Sequence, residues 1–234
     1  MMDAVMTQLT RQSAFLTSAT ASVINSAGIV RRFSLTDVAG SPLPAPMRRG
    51  ESLYRQGDKP HSIYELLTGV VRAVSLRHDG RRLIHGFHLP GDIFGMEIAE
   101  IRSCSVEAVS EGRFVRCEQA RLHALCATDP AAASALCSAL RSSIDNATER
   151  FSLLGLRRSD DKVMCFLWYL AERTGRGSQI ELPVTRYDIA DYLGISSETV
   201  SRAFTALRAR GFIAGQGRSV RILRRRPGRN NSPD

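Results

Sequence analysis

Lysine is almost missing from this chain: of 32 basic residues in 234, thirty are Arg. The guanidinium fork suits bidentate contact with phosphate or guanine, so nucleic acid is the first partner to consider. Cysteine is sparse and badly spaced for bridging or metal binding. The five residues, Cys104, Cys117, Cys126, Cys137 and Cys165, include no CxxC and are odd in number. That argues against a disulfide framework and for a reducing compartment. No apolar run approaches the length of a membrane span, and the first 20 residues have neither a basic start nor a long apolar core. The expected location is the cytoplasm. GxSxG, HExxH and phosphate-loop signatures are absent, and the Gly-x-Gly of "GQGRS" does not open a helix.

What is present is enough for one large domain or two small ones, with 43% hydrophobic residues to fill ordinary cores. The net charge of +9 is unevenly placed: residues 157–234 hold 15 basic and 8 acidic side chains, residues 1–156 hold 17 and 15. Residues 1–30 are rich in Ser, Thr and Ala and read as a partly ordered extension or helix. Between about 45 and 125, runs such as "SIYELL", "VVRAVSL" and "RLIHGFHL" are divided by "RQGDKP", "HDGR" and "LPGD". This pattern predicts a β-sandwich or barrel, with Asp79-Gly80 as its tightest hairpin turn.

After Asp129-Pro130, residues 131–156 read as one long helix, with Leu136, Leu140, Ile144 or Ser143, Ala147, Phe151 and Leu154 on one stripe. Such a stripe can pack on its own barrel, but alternating steps of three and four favour a twin helix from a second subunit. A further helix over about 159–174 has Ser159 as N-cap, acids at its start, Gly175 as terminator, and Val163, Phe166, Leu167 and Leu170 on its core face. Cys165 and Trp168 read as packing residues.

In "DIADYLGISSETVSRAF" Thr185 can cap a helix running to Leu193, Gly194 can make the turn, and Ser196 can cap the next helix. At about 100° per residue, Val200, Ala203, Phe204 and Leu207 fall on one side, and Glu198, Ser201, Arg202 and Thr205 on the other. Arg donates to guanine O6 and N7, Glu accepts from cytosine N4, and Ser suits several base edges. Glu198 also orients Arg202 from one turn away. Taken alone, the pair is an ordinary solvated ion pair. The following "GFIAGQGRSVRILRRR" reads as two short strands about a Gly-rich turn, a wing, from which Arg218 and Ser219 reach phosphate. Arg224, Arg225 and Arg226 read either as an extension of that footprint or as a solvated tail.

The "DIADYLGISSETVSRAF" motif, preceded by a strand-and-turn domain with "PGDIFG" and a long helix, resembles the Crp/Fnr superfamily of bacterial transcription regulators over about residues 45–223. "RSCSVEAVS" and the pattern Glu198, Ser201, Arg202 look closest to its FixK and Fnr-like branch. The resemblance implies an α+β protein. Its parts would be an extension (1–30), a jelly roll related to cyclic-nucleotide-binding modules (31–128), a dimerisation helix (129–157) and a winged helix-turn-helix with basic tail (158–234). It further implies a homodimer on a palindromic operator, an activator working with RNA polymerase. Glu198, Ser201 and Arg202 would read a TTGA-type half-site, while Thr185, Arg186, Ser197, Thr199, Thr205, Arg218 and Ser219 would touch the DNA backbone.

Two departures bear on control. No Cys precedes Cys104, so the family's N-terminal iron-sulfur cluster cannot be assembled in its usual way. The phosphate cassette of the cyclic AMP receptor also looks incomplete. Gly95 is followed by Met96 before Glu97, and Arg102-Ser103 comes early, so these residues are candidates for a vestigial ligand pocket. The expectation is no cofactor and no metal, with a cyclic-nucleotide-responsive regulator as the alternative. A remoter alternative is a cupin-like metal enzyme using His85 and His88. Their separation of three puts them on opposite faces of a strand unless a bulge intervenes.

Overall fold

The structure is a computed structural model that describes residues 22–24, 30–32, 34–38, 43–97, 99–175 and 177–224. Most of the expected 1–30 extension, and Arg225 and Arg226, lie outside them. Strands β1 (Ser22–Ile24) and β2 (Val30–Arg32) pair antiparallel. A short 3-10 turn follows at Leu35–Asp37.

The sandwich consists of β3 (Ala45–Met47), β4 (Ser52–Tyr54), β5 (Ser62–Thr68), β6 (Val71–Leu76), β7 (Arg82–His88), β8 (Ile93–Phe94), β9 (Ser105–Ala108) and β10 (Gly112–Glu118). They form two antiparallel sheets, ordered β3-β10-β5-β8 and β4-β9-β6-β7. Alternation places Val106 and Ala108 of β9 inside, with Ser105 and Glu107 less covered. One core cluster gathers Tyr54, Tyr64, Leu66, Val71, Phe94 and Val106, with Tyr64 and Phe94 stacked at 5.6 Å. A second joins Leu35, Ile63, Val115, Cys117 and Leu122. The Asp79-Gly80 hairpin forms as expected, the Gly80 amide donating to the Arg77 carbonyl at 2.9 Å.

Helix α1 (Gln119–Thr128) was not expected from the sequence, which reads as strand and turn to about 125. Glu118 precedes it without a side-chain capping bond, and Leu122 is its one fully buried residue, so neither capping nor periodicity announces it. Helix α2 (Pro130–Leu154) begins with Pro at its first position, and the Asp129 carboxylate accepts from the Ala131 amide at 2.8 Å.

Helix α3 (Ser159–Thr174) is followed by β11 (Gln179–Glu181), α4 (Arg186–Leu193), α5 (Ser197–Ala209), β12 (Ile213–Ala214) and β13 (Ser219–Ile222). Arg158, not Ser159, holds the N-cap position of α3, and Gly175 ends it. Val163, Phe166, Leu167 and Leu170 form its buried face, with Cys165 and Trp168 buried beside them. Helix α5 packs against both α3 and α4. The wing contains a third strand that the sequence reading missed, since the sheet order is β11-β13-β12. The described chain groups into two compact units, one ending at Ala147 and the other beginning at Thr148, so the division falls inside α2.

Candidate nucleic-acid interface

Local chemistry fixes the two helices of the motif. The Thr185 hydroxyl accepts from the Asp188 amide at 3.1 Å while the Asp188 carboxylate accepts from the Thr185 amide at 3.1 Å, a reciprocal cap on α4. Gly194 terminates α4 at φ +65°, a conformation that costs a residue with a Cβ. Ser196 then caps α5, accepting from the Thr199 amide at 3.1 Å. Val200, Ala203, Phe204 and Leu207 are buried on one side of α5. Covering Phe204 alone contributes about 1.5–3 kcal/mol.

The opposite side is open. Glu198, Ser201, Arg202 and Thr205 are all exposed, and Arg202 Nη2 lies 3.5 Å from Glu198 Oε1 with both side chains more than 70% exposed. An ion pair this exposed contributes at most about 0.5 kcal/mol, so it does little to hold the helix. The Ser201 hydroxyl donates to the Ser197 carbonyl at 2.9 Å and that of Thr205 to the Ser201 carbonyl at 3.2 Å. Ser197 and Thr199 are half-buried near the start of α5, where Thr199 Oγ1 meets Ser196 Oγ at 2.8 Å.

Around this face, arginines tie the wing turn down. Arg208 Nε donates to the Gly215 carbonyl at 2.8 Å, and Arg186 Nη2 to that of Gly217 at 3.3 Å. Gly215 is required there: a Cβ would sit 2.3 Å from the Ser219 carbonyl. Arg218 differs from expectation. Its Nε and Nη2 donate to the Leu182 and Pro183 carbonyls at 2.8 and 2.6 Å, so part of its fork is spent on anchoring the wing strand to the loop before α4. Ser219 pairs with Glu181 in the wing sheet. Arg186 lies with Cζ 3.2 Å from the Phe204 ring centroid, and its Nη1 is buried with no partner. Burial, then the Arg208 charge, push its pKa down to about 10. Arg224 stacks over Phe212 at 4.8 Å, and its carbonyl accepts from Trp168 Nε1 at 3.0 Å, so the described start of the basic run is docked.

In the sandwich, Arg102 points into the protein. Its side chain is 1% exposed and ion-paired with Glu97; Nη1 also donates to the Gly95 carbonyl at 2.9 Å, Nη2 donates to that of Ser62, and Cζ lies 4.2 Å above the Tyr54 ring. Tyr54 donates to Glu97 at 3.3 Å. Ser103 is exposed, so the four candidate pocket residues are not gathered into one site: Gly95, Glu97 and Arg102 cluster and Ser103 does not. The neighbouring Cys104 thiol is pushed up to about 11 by burial and by the Glu97 charge, which keeps it protonated. A bulge does intervene in β7 at His85, but His85 meets Ser75 Oγ at 2.7 Å and His88 stacks on Phe94 at 4.5 Å. No group of three or more potential metal ligands occurs among the described residues.

On α2 the stripe needs one correction. Leu136 is half-buried against the Leu35, Ile63 and Leu122 cluster, so it serves the sandwich core rather than the outward stripe. Cys137 stands exposed in its place, seven residues before Ile144 and fourteen before Phe151. Leu140, Ile144 and Phe151 are 40%, 65% and 73% exposed; Ala147 is exposed too and Leu154 half-buried.

Residues 161–226 match the Crp-like helix-turn-helix domain and residues 45–129 the cyclic nucleotide-binding domain. The nitrogen fixation regulation protein FixK of Azorhizobium caulinodans is 38% identical over 182 residues, 76% of this chain and 73% of the relative. This chain belongs to the Crp/Fnr family. Its similarity to FixK of Rhizobium meliloti is 36% over 80% of this chain and 86% of that one. The structure of FixK2 from Bradyrhizobium japonicum superposes with a TM-score of 0.73 at 31% identity, covering 78% of this chain and 92% of that one. The chain is thus a FixK/Fnr-type transcription regulator with a helix-turn-helix DNA-binding domain, and its relatives are regulators, not enzymes. No helix among the described residues is long and apolar enough to cross a membrane.

The roles missed from the sequence belong to arginines of this Crp/Fnr chain that bond to carbonyls. Arg186 reads as a DNA-backbone residue and Arg208 draws no reading until the Gly217 and Gly215 carbonyls are placed beside them. A carboxylate role was missed as well: Asp160 accepts from Arg158 Nη2 at 3.0 Å and Arg210 Nη1 at 2.7 Å, joining the start of α3 to the end of α5.

Proposed function

We propose that the protein binds a palindromic TTGA-type operator as a homodimer in the cytoplasm, without cyclic nucleotide or iron-sulfur cluster, and activates transcription through contact with RNA polymerase. The observation that carries the reading is the open face of α5, where Glu198, Ser201 and Arg202 stand exposed above a buried anchoring face. Arg202 donates two bonds to guanine and Glu198 accepts from cytosine while steadying the fork. Thr185, Arg186, Ser197, Thr199, Thr205 and Ser219 hold the phosphates, Arg186 only with the part of its fork that the Phe204 ring and the Gly217 carbonyl leave open. Arg218 reaches the backbone only with what its two carbonyl bonds leave over. Leu140, Ile144, Ala147 and Phe151 form the seam between subunits, with Cys137 in line, while Leu154 turns from it toward the Gly194 turn. Recognition helices about 34 Å apart then match a two-fold operator.

Ligand control is the second reading, favoured by the match of residues 45–129 to a cyclic nucleotide-binding domain. Against it, the Arg102 guanidinium is already neutralised by Glu97. The test of the DNA reading is Arg202→Ala, titrated against an inverted TTGA repeat, a base-substituted repeat and random duplex. The expected loss is about 1–3 kcal/mol on the TTGA repeat, with relaxed choice at one base and little change on random duplex. Equal loss on all three would make Arg202 a backbone clamp.

A further inference from the structure

The last two turns of α2 present two faces within one compact unit. Phe151 is 73% exposed on one, while Arg150 and Leu154, one turn apart, lie against the helix-turn-helix. Arg150 Cζ sits 5.4 Å from the centroid of the Tyr192 ring. Tyr192, on α4, is 2% exposed and packs on Phe166 of α3 at 5.4 Å, so the ring that Arg150 meets is fixed from below. Leu154 Cδ2 lies 3.7 Å from where a Cβ on Gly194 would stand, against the turn between α4 and α5. Arg150 Nε is buried with no hydrogen-bond partner. Burial pushes this guanidinium's pKa down.

A partly desolvated cation held by an aromatic face rather than a carboxylate has directional preference, since the ring attracts it only from above its plane. It adds little to folding beyond what Leu153 and Leu154 supply by burial. What it fixes is the angle between the end of α2 and α4, and through Gly194 and the Ser196 cap, the direction of α5. We propose that Arg150 is a positioning residue that sets the operator half-site spacing the dimer accepts, by locking the seam helix to the Tyr192 ring. This rests on the dimeric reading given above. In a two-fold protein, looseness at this joint lets each recognition helix swing relative to the axis. A single half-site does not notice, whereas two half-sites at fixed separation do.

The experiment uses the full chain and labelled duplexes carrying two inverted TTGA half-sites at the best separation, the same pair with the separator lengthened or shortened by a base pair, and a single half-site. Arg150→Met keeps the apolar stem and removes the charge. It should weaken binding at the best separation about fivefold to tenfold, leave the single half-site unchanged, and flatten the preference among separations. Arg150→Lys should recover part of that preference, and Tyr192→Phe, which keeps the ring, should retain it. Uniform weakening on every duplex including the single half-site, or no change on any, overturns the proposal. Sedimentation of the same variants separates it from the dimer reading: Arg150→Met remains a dimer if the joint alone is loosened. A wild type that binds the paired duplex as a monomer refutes the dimer itself, whatever Arg150 does.

Discussion

Glu97→Gln is the sharpest perturbation of the sandwich, because it removes the carboxylate charge from a guanidinium that has almost no access to water. Arg102 is 1% exposed and Glu97 25%, so the pair is lopsided: losing Glu97 strands a buried cation, while water can reach only the acid. The Gly95 and Ser62 carbonyls still accept from Arg102, and the Tyr54 ring still faces it, which softens the loss. Breaking a buried ion pair by neutralising one partner costs about 3–5 kcal/mol, and the partial exposure of Glu97 favours the lower end, about 3 kcal/mol. Hydrogen exchange of the β5 and β9 amides should report that loss locally. The double variant Glu97→Met with Arg102→Met should recover most of it, since apolar side chains of like volume need no counter-charge. Unchanged protection in Glu97→Gln would mean that Arg102 is held by the carbonyls and Tyr54 alone. The Glu97 charge would then not be what fills the place an anionic ligand would need.

Two other outcomes follow from the same kind of reasoning. Phe151→Glu places a charge in the outward stripe of α2 and should convert the dimer to monomer in sedimentation velocity; an unchanged oligomer would remove the stripe from the interface. For Asp160, the hydrogen bond from Arg158 is the main cause that holds its carboxyl below the ordinary value of 3.8. A carboxylate with a depressed folded pKa stabilises above its unfolded pKa, and that stability is lost as pH falls through the lower folded value. Asp160→Asn should therefore cost about 1–2 kcal/mol near neutrality, and the gap to wild type should close in acid below pH 3.8. A gap that persists unchanged into acid would show that hydrogen-bond geometry, not charge, is what Asp160 supplies.

Much of the DNA-binding unit is legible in the sequence because its signals are local. The Thr185 and Ser196 caps, and Gly194 and Gly175 at helix ends, act over one turn, and the structure realises them as read. The Asp79-Gly80 hairpin is legible for the same reason. What was hidden depends on residues distant in the chain. Leu136 reads as a member of the heptad stripe until Leu35, Ile63 and Leu122 claim it. Helix α1 has neither cap nor strong periodicity, because it is held by Leu122 against the sandwich. Strand β11 exists through its pairing with β13, forty residues on, and Arg218 is drawn to the Leu182 and Pro183 carbonyls by that same sheet. The inward turn of Arg102 required knowing that Tyr54, Ser62 and Glu97 converge on it.

The central claim is that two copies of the α5 face read a two-fold site through Glu198, Ser201 and Arg202. Its most direct test is selection of bound sequences from a random duplex pool by the wild-type protein without added nucleotide. The account predicts enrichment of inverted TTGA half-sites about one helical turn apart, centre to centre. Enrichment of a single unpaired half-site, of an unrelated sequence, or of nothing unless cyclic AMP is supplied, would contradict it.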